Sequence, residues 1–316
     1  MMRELKIFSG QSNPALAESI CDYLGVPLGL ASVREFPDGE TFIKLEEDIR
    51  GRDIFVIQSI CHKPNAYLVE LLIYLDCIRR ASAQRVTAVL PYYGYARQDR
   101  KDEGRTPITA KLVANMLITA GADRVLTIDL HAGQIQGFFD IPLDHLEAQS
   151  VFLDYFGQKH LENLTVVSPD LGSVKRARVM ARHLGGKLAI VDKERVGSTM
   201  VRSDNLIGTA EGCNVVIYDD IISTAGSVCE AARVLKGHGA RDIYVSATHG
   251  LLCGPAAERL NAAPVKEVVV SDTVPLSDEA KAIRNLKVLS VTSLLGEAIS
   301  RIHRNESVSS LFMNDM

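Results

Sequence analysis

Short runs rich in Val and Ile alternate along this chain with longer stretches whose apolar residues recur at helical spacing. The apolar runs predict strands at LKIF (5–8), DIFVIQS (53–59), RVTAVLPY (85–92), RVLTIDLH (124–131), LTVVSP (164–169), KLAIVD (187–192), NVVIYDD (214–220), DIYVSATH (242–249), EVVVSD (267–272) and VLSVT (288–292). Helices fill the gaps. Pro107 behind Thr106 predicts a helix capped by Thr106, running over ITAKLVANMLITAG and closed by Gly121. This alternation predicts an α/β fold with a largely parallel sheet. The rhythm restarts near 147–160, and the two halves have similar length, so a duplicated α/β domain is expected. No residue-level repeat accompanies the rhythm, and a single long sheet would give the same strand count.

The length of 316 residues exceeds the usual single core, and a hydrophobic content of 47% excludes a disordered chain. The net charge of −4 provides no global basic field for a nucleic acid or an anionic membrane, so any polyanion must be met locally. Six cysteines (Cys21, Cys61, Cys77, Cys213, Cys229 and Cys253) form no C-x-x-C pair, which predicts reduced thiols in a cytosolic setting. The opening MMRELKIFSG lacks a signal-peptide pattern, and the most apolar stretch, YLVELLIYLDCI (67–78), is broken by Glu70 and Asp76. A cytoplasmic protein with no membrane span is expected.

Open α/β sheets bind ligands beyond the carboxyl ends of their strands, and four polar clusters end apolar runs here. In VVIYDDIISTAGS (215–227), small residues let backbone amides approach an anion ahead of a helix, while Asp219 and Asp220 can accept from a pair of sugar hydroxyls. A sugar phosphate fits this layout; a simple helix cap is the alternative. In SPDLGSVKRARVMARHL (168–184), Lys175, Arg176 and Arg178 oppose the dipole of a starting helix, which fits a bound polyphosphate or a solvated basic face. DLHAGQIQGFFDIP (129–142) places Asp129 and His131 at a strand end before a glycine-containing turn. Composition alone would give a His beside Asp170 to a metal softer than magnesium. YYGYARQDRKDEGRTPI (92–108) is far richer in charge than a connection requires and reads as a mobile lid over phosphates or as a solvated loop, with Arg97, Arg100, Lys101 and Arg105 balanced by Asp99, Asp102 and Glu103. No G-x-x-x-x-G-K-[ST] occurs and no G-x-G-x-x-G follows a strand, which weighs against P-loop kinases and Rossmann dehydrogenases.

In order and spacing these clusters resemble the ribose-phosphate pyrophosphokinases, the phosphoribosyl pyrophosphate synthetases, of the phosphate-activated class. The resemblance spans nearly the whole chain: FSGQSNPALAESI (8–20), FPDGE (36–40), IQSI (57–60), YARQDRK (95–101), DLHAGQIQGFFDIP, SPDLGSVKRAR (168–178), DDIISTAGS (219–227) and SVSSLF (307–312). The DDIISTAGS type is shared with phosphoribosyltransferases; the other segments are not.

The resemblance implies two similar phosphoribosyltransferase-type domains, each a largely parallel sheet flanked by helices. Residues 1–146 would form the ATP side with the lid at 92–108. Residues 147–316 would carry the ribose 5-phosphate loop at 219–227, with the tail near 300–316 packing back on the first domain. The implied reaction transfers the pyrophosphoryl group of MgATP to the anomeric hydroxyl of ribose 5-phosphate, giving phosphoribosyl pyrophosphate and AMP. Lys193 and Arg195 in IVDKERVG (190–197), which by itself reads as a strand leaving the sheet, are the implied catalytic cations. Phe36, Asp38, Gly39, Glu40, Arg97, Gln98, Asp99 and His131 would bind ATP, with FPDGE reaching a neighbouring subunit's site. Arg195, Asp219, Asp220, Ser223, Thr224, Ala225, Gly226 and Ser227 would hold ribose 5-phosphate. His131 and Asp170 would hold magnesium, one ion with ATP and one additional. Gln136, Asp144, Ser307 and Phe312 match a regulatory segment where inorganic phosphate activates and ADP inhibits; a polar tail with a hydrophobic hook is the plainer reading of SVSSLF. A homohexamer is also implied.

Three positions depart from the family pattern: Ser223 where Asp is common, Ser227 where Thr is common, and Glu194 where a basic residue is common. A phosphoribosyltransferase would share the ribose-phosphate loop but has no need of YARQDRK, FPDGE or the Lys193 segment. A non-catalytic regulatory paralogue is opposed by intact Lys193, Arg195, His131 and Asp170.

Overall fold

The computed structural model describes residues 4–101, 103–196 and 201–311, with the backbone alone for 192–196 and 201–204. The described residues form two compact units: 4–147 with 273–275 and 291–311, and 148–272 with 276–290.

The first unit opens with β1 (Leu5–Ser9) and α1 (Pro14–Leu24), where Pro14 supplies the fixed φ suited to a first helical position and Gly25 closes the helix at φ 66°. An antiparallel hairpin follows, β2 (Ala31–Glu35) and β3 (Thr41–Leu45). The unit continues through β4 (Asp53–Ile57), α2 (Pro64–Arg80), β5 (Arg85–Leu90), α3 (Thr109–Ala120), β6 (Arg124–Ile128) and β7 (Leu143–Leu146). Five of these strands form one parallel sheet in the order β1-β4-β5-β6-β7. β4 is buried at every position, as expected of a strand covered on both faces. The connections 91–108 and 129–142 therefore leave the carboxyl edge of neighbouring strands, where open α/β sheets present their ligand sites.

The second unit contains α4 (Gln149–Gln158), β8 (Leu164–Ser168), α5 (Val174–His183), β9 (Lys187–Val196), β10 (Val201–Ile207), β11 (Asn214–Ile222), α6 (Gly226–Gly237), β12 (Ile243–Gly250), α7 (Ala256–Ala262), β13 (Glu267–Ser271) and β14 (Leu286–Leu289). Its seven strands run β10-β9-β8-β11-β12-β13-β14, all parallel except the β9–β10 pair. β9 pairs with β8 from Lys187 to Ile190 and continues as an arm paired with β10 alone. The core of this unit gathers residues such as Val215, Ile217, Val245 and Val270, all fully buried.

The last helix, α8 (Thr292–Arg304), belongs to the first unit and packs on α1, where Gly296 leaves room for the ring of Tyr23. Buried Asp53 fastens it: Arg85 donates to Asp53 through Nε at 2.7 Å and to the Ile302 carbonyl at 2.8 Å, and His303 Nδ1 lies 2.8 Å from Asp53 Oδ2. No helix among the described residues is long and apolar enough to cross a membrane.

Among the described residues, nine strands lie where the alternation predicts them; the tenth, β14, lies two residues before the predicted 288–292, whose last residue opens α8; and four more appear that the alternation does not predict: β2, β3, β7 and β10. The hairpin strands are only half-buried, β7 has four residues, and VRSDNLI in β10 is largely polar, so none carries a clear apolar run. The third helix is a correction. It begins at Thr109, not at Pro107: Thr106 belongs to a local turn in which its hydroxyl donates to the Glu103 carbonyl at 2.9 Å, and no side chain caps the helix. Gly121 closes that helix as expected, at φ 119°.

Candidate functional site

In the second unit, β11 carries a buried apolar run, Val215 to Tyr218, followed by Asp219 and Asp220, which are 8% and 5% exposed, before it ends at Ile222. Oδ1 of Asp219 accepts from the Ser173 hydroxyl at 2.7 Å and from the Asp220 amide at 2.9 Å. Burial, and then the neighbouring charge of Asp220, push the Asp219 carboxyl up to about 7. Arg176 Nη1 stands 3.5 Å from Asp220 Oδ1, so one of the three cations in the first turns of α5 faces a carboxylate. Asp170 is exposed in the turn after β8, the strand beside β11, and its Oδ1 accepts from the amides of Gly172 at 2.9 Å and Ser173 at 3.2 Å. Ser173, which the sequence did not single out, thus touches both Asp170 and Asp219.

The chain then turns through Ser223, Thr224 and Ala225 into α6. Ser223 Oγ lies 3.3 Å from Cys253 Sγ. Ala225 takes a left-handed backbone at φ 59°, and no side chain caps α6. A helix start leaves its first amides without intrahelical acceptors and carries a partial positive charge, a ready cup for an anion. Ser223 and Gly226 are half-exposed, Thr224 and Ser227 are exposed, and Ala225 is buried.

In the first unit, FPDGE forms the turn of the β2–β3 hairpin. The Phe36 amide donates to the Glu40 carbonyl and the Gly39 amide to the Phe36 carbonyl, both at 2.8 Å, and the Glu40 amide donates to Asp38 Oδ1 at 3.2 Å. Gly39 sits at φ 93°, a conformation that side-chain-bearing residues avoid. Phe36 is 46% exposed and meets Phe42 edge-on with ring centres 5.8 Å apart. An exposed aromatic face on a tight turn suits stacking against a flat partner.

Along the connection between β5 and α3, Arg97 is exposed. Gln98 is tied to the start of α3: its carbonyl accepts the Ala110 amide at 3.1 Å and its side-chain oxygen accepts the Thr109 hydroxyl at 2.6 Å. Asp99 accepts from Gln134 Nε2 at 2.8 Å, joining this connection to the one after β6. There Asp129 is buried at φ 39°, the Leu130 amide donates to His145 Nε2 at 2.8 Å, and His131 is exposed. Asp102 lies outside the described residues.

The residues matched to a regulatory segment have local partners within this unit. Gln136 Nε2 donates to the Gly133 carbonyl at 3.0 Å, and Arg124 donates to Asp144 at 2.5 Å. Arg301 Nη1 donates to the Ser307 carbonyl at 3.2 Å. Phe312 and the side chains of Lys193, Glu194 and Arg195 lie outside the described residues; the backbones of Lys193 and Arg195 stand in the β9 arm opposite Asp204 and Arg202.

No group of three or more His, Cys, Asp or Glu able to hold a metal ion occurs among the described residues. The donor chemistry of Asp170, an exposed carboxylate oriented by two amides, fits a hard ion such as magnesium, which keeps waters and phosphate oxygens beside one or two carboxylates.

Comparison with known proteins gives a consistent answer. Residues 5–121 match the family profile described as the N-terminal domain of ribose phosphate pyrophosphokinase, and residues 201–313 match the phosphoribosyl synthetase-associated domain. The chain is 55% identical over 314 residues to a ribose-phosphate pyrophosphokinase of Rhodopirellula baltica, covering 98% of this chain and 99% of that one. It is 51% identical over 310 residues to that of Bacillus subtilis, covering 98% of each. The crystal structure of phosphoribosylpyrophosphate synthetase from Mycobacterium smegmatis superposes with a TM-score of 0.91 at 41% identity, covering 96% of this chain and all of that one. The chain belongs to the ribose-phosphate pyrophosphokinase family.

Proposed function

We propose that this protein transfers the pyrophosphoryl group of ATP to ribose 5-phosphate, as an enzyme of the phosphate-activated class. The observation that carries the reading is the carboxyl-terminal part of β11, where two buried carboxylates are followed, after Ile221, Ile222 and the turn 223–225, by an uncapped helix start. Carboxylates accept from vicinal sugar hydroxyls and the amides of a helix start accept a phosphate, so one loop addresses both ends of a ribose 5-phosphate. Membership of the family supplies the second substrate.

In this reading Asp219 and Asp220 hold the ribose hydroxyls, and Ser223, Thr224, Ala225, Gly226 and Ser227 hold the C5 phosphate. Phe36 stacks on adenine, with Asp38, Gly39 and Glu40 beside the nucleotide and Arg97, Gln98 and Asp99 on its other side. The anomeric oxygen attacks the β-phosphorus of ATP, the bond from that phosphorus to the bridging oxygen of the α-phosphate breaks, AMP leaves, and the anomeric proton is released. Such a transfer asks the protein for alignment and charge neutralisation rather than covalent chemistry, the task given to Lys193 and Arg195. Asp170 and His131 would hold magnesium, which supplies charge neutralisation on the phosphate oxygens.

Gln136, Asp144, Ser307 and Phe312 belong, in the same reading, to a site where inorganic phosphate activates, and the working protein is a cytoplasmic homohexamer. The test is AMP formation from ATP in the presence of magnesium. Strict dependence on ribose 5-phosphate supports the reading; pyrophosphate release that depends on a nucleobase would instead make the protein a phosphoribosyltransferase.

A further inference from the structure

Three successive carbonyls, from the last residue of β11 into the loop that follows, each accept a hydrogen bond from the segment between β12 and α7 or from α7. The Ile222 carbonyl accepts the Leu252 amide at 3.1 Å, the Ser223 carbonyl accepts the Cys253 amide at 3.0 Å, and the Thr224 carbonyl accepts Arg259 Nη1 at 3.0 Å. The first two are backbone contacts from the turn after β12. The third depends on one exposed side chain on α7, three residues into that helix.

The third contact has the most to hold. The carbonyl of Thr224 and the amide of Ala225 belong to one trans peptide and point in opposite directions, so fixing one fixes the other. Ala225 stands at φ 59°, unfavourable for a residue with a Cβ. Rotating that peptide by half a turn would bring Ala225 into the ordinary negative-φ region and send the Thr224 carbonyl to the opposite face. The relaxed loop would then present an electron-rich oxygen where the present one presents an N–H. The Arg259 guanidinium, which also lies 3.3 Å from where a Cβ on Gly226 would sit, opposes that rotation.

We propose that Arg259 is a positioning residue for ribose 5-phosphate: it keeps the Thr224–Ala225 peptide in the anion-accepting orientation by occupying the Thr224 carbonyl. The inference rests on the reading of 219–227 as the ribose 5-phosphate loop and adds a residue that this reading does not contain. An exposed arginine outside every sequence motif is thereby given a substrate-specific effect.

Steady-state kinetics of Arg259→Ala, with amide hydrogen exchange of Cys229, Leu252 and Cys253, whose amides donate to carbonyls of residues 222–225, test it. Losing one charge-assisted hydrogen bond that acts only on the loop should raise KM for ribose 5-phosphate about tenfold, with kcat and KM for ATP within about twofold of the parent. Exchange at these three amides should quicken while the melting temperature stays unchanged. An unchanged KM for ribose 5-phosphate overturns the proposal, as does a parallel loss of kcat and thermal stability. A raised KM without faster exchange would mean that Arg259 touches the phosphate itself and also overturns the positioning role. If the parent protein forms no AMP from ATP and ribose 5-phosphate, the reading of the loop fails; if it does and Arg259→Ala matches it, the positioning role alone fails.

Discussion

The hydroxyl of Ser173 donates to Oδ1 of Asp219 at 2.7 Å, and the amide of the same residue donates to Oδ1 of Asp170 at 3.2 Å. One buried serine therefore fixes the spacing between the turn after β8 and the end of β11. Ser173→Ala removes a donor from a buried carboxylate, a loss of about 1.5–3 kcal/mol for a hydrogen bond to a charged group. Denaturant midpoints should register it; a change below about 0.5 kcal/mol, the range of ordinary surface substitutions, would show that the contact does not hold the two turns together.

Asp219 also makes stability depend on pH. Its folded-state value is raised to about 7 by burial and by Asp220, against about 3.9 for a free aspartate. The folded state therefore binds the proton more tightly than the unfolded chain. The stabilisation this group contributes is complete below about pH 4 and is lost as pH rises toward 7. Asp219→Asn keeps the shape and removes the titration. Unfolding free energies of parent and variant, measured in parallel without substrates, should diverge between pH 4.5 and 7.5, with the parent losing more; a constant difference would contradict the shift.

Glu70 on α2 is 3% exposed, and its Oε1 accepts from the Gln11 amide at 2.7 Å and from Gln58 Nε2 at 3.1 Å. Gln58 in turn accepts the Ser12 amide at 3.1 Å, so this carboxylate anchors the loop between β1 and α1. Glu70→Ala should cost about 1–3 kcal/mol by taking the acceptor from the Gln11 amide and from buried Gln58, whose Nε2 keeps only the Tyr67 carbonyl at 3.2 Å, whereas Glu70→Gln retains an acceptor and should cost less than half of that. Thermal melts that place the two variants together would show that the acceptor is not what matters.

Lys193 is the sharpest point of the catalytic reading. If its ammonium neutralises charge on the oxygens in flight, Lys193→Ala should lower kcat by about 10²–10³, the usual loss for one such donor, with a smaller change in KM. An unchanged kcat would refute the role.

Much of the fold was legible because fully buried parallel strands such as β4 and β8 must be continuous apolar runs bounded by turns. The hairpin strand β2, with Arg34 and Glu35 exposed, gives no such run, and its identity depends on pairing with β3 across the FPDGE turn. Thr106 and Pro107 show the opposite failure: the local signal for a helix start is sound, yet Thr106 joins a turn with Glu103 and the helix begins three residues later. At the candidate site, the end of β11 could be read because carboxylates following an apolar run are costly and conspicuous. Ser173 and Arg259 could not, since a serine inside SPDLGSVKR and an arginine on a short surface helix acquire meaning only from what the fold sets opposite them. The basic face of α5 was read as a possible polyphosphate site, yet Arg176 turns to Asp220, a partner 44 residues further along.

The central claim is that the terminal two phosphates of ATP move together, and the phosphorus NMR spectrum of the completed reaction tests it most directly. With ATP, magnesium and ribose 5-phosphate, the account predicts equal amounts of AMP and a new diphosphate ester at the anomeric carbon. Accumulation of ADP, whether with free phosphate or with a ribose bisphosphate, would contradict it.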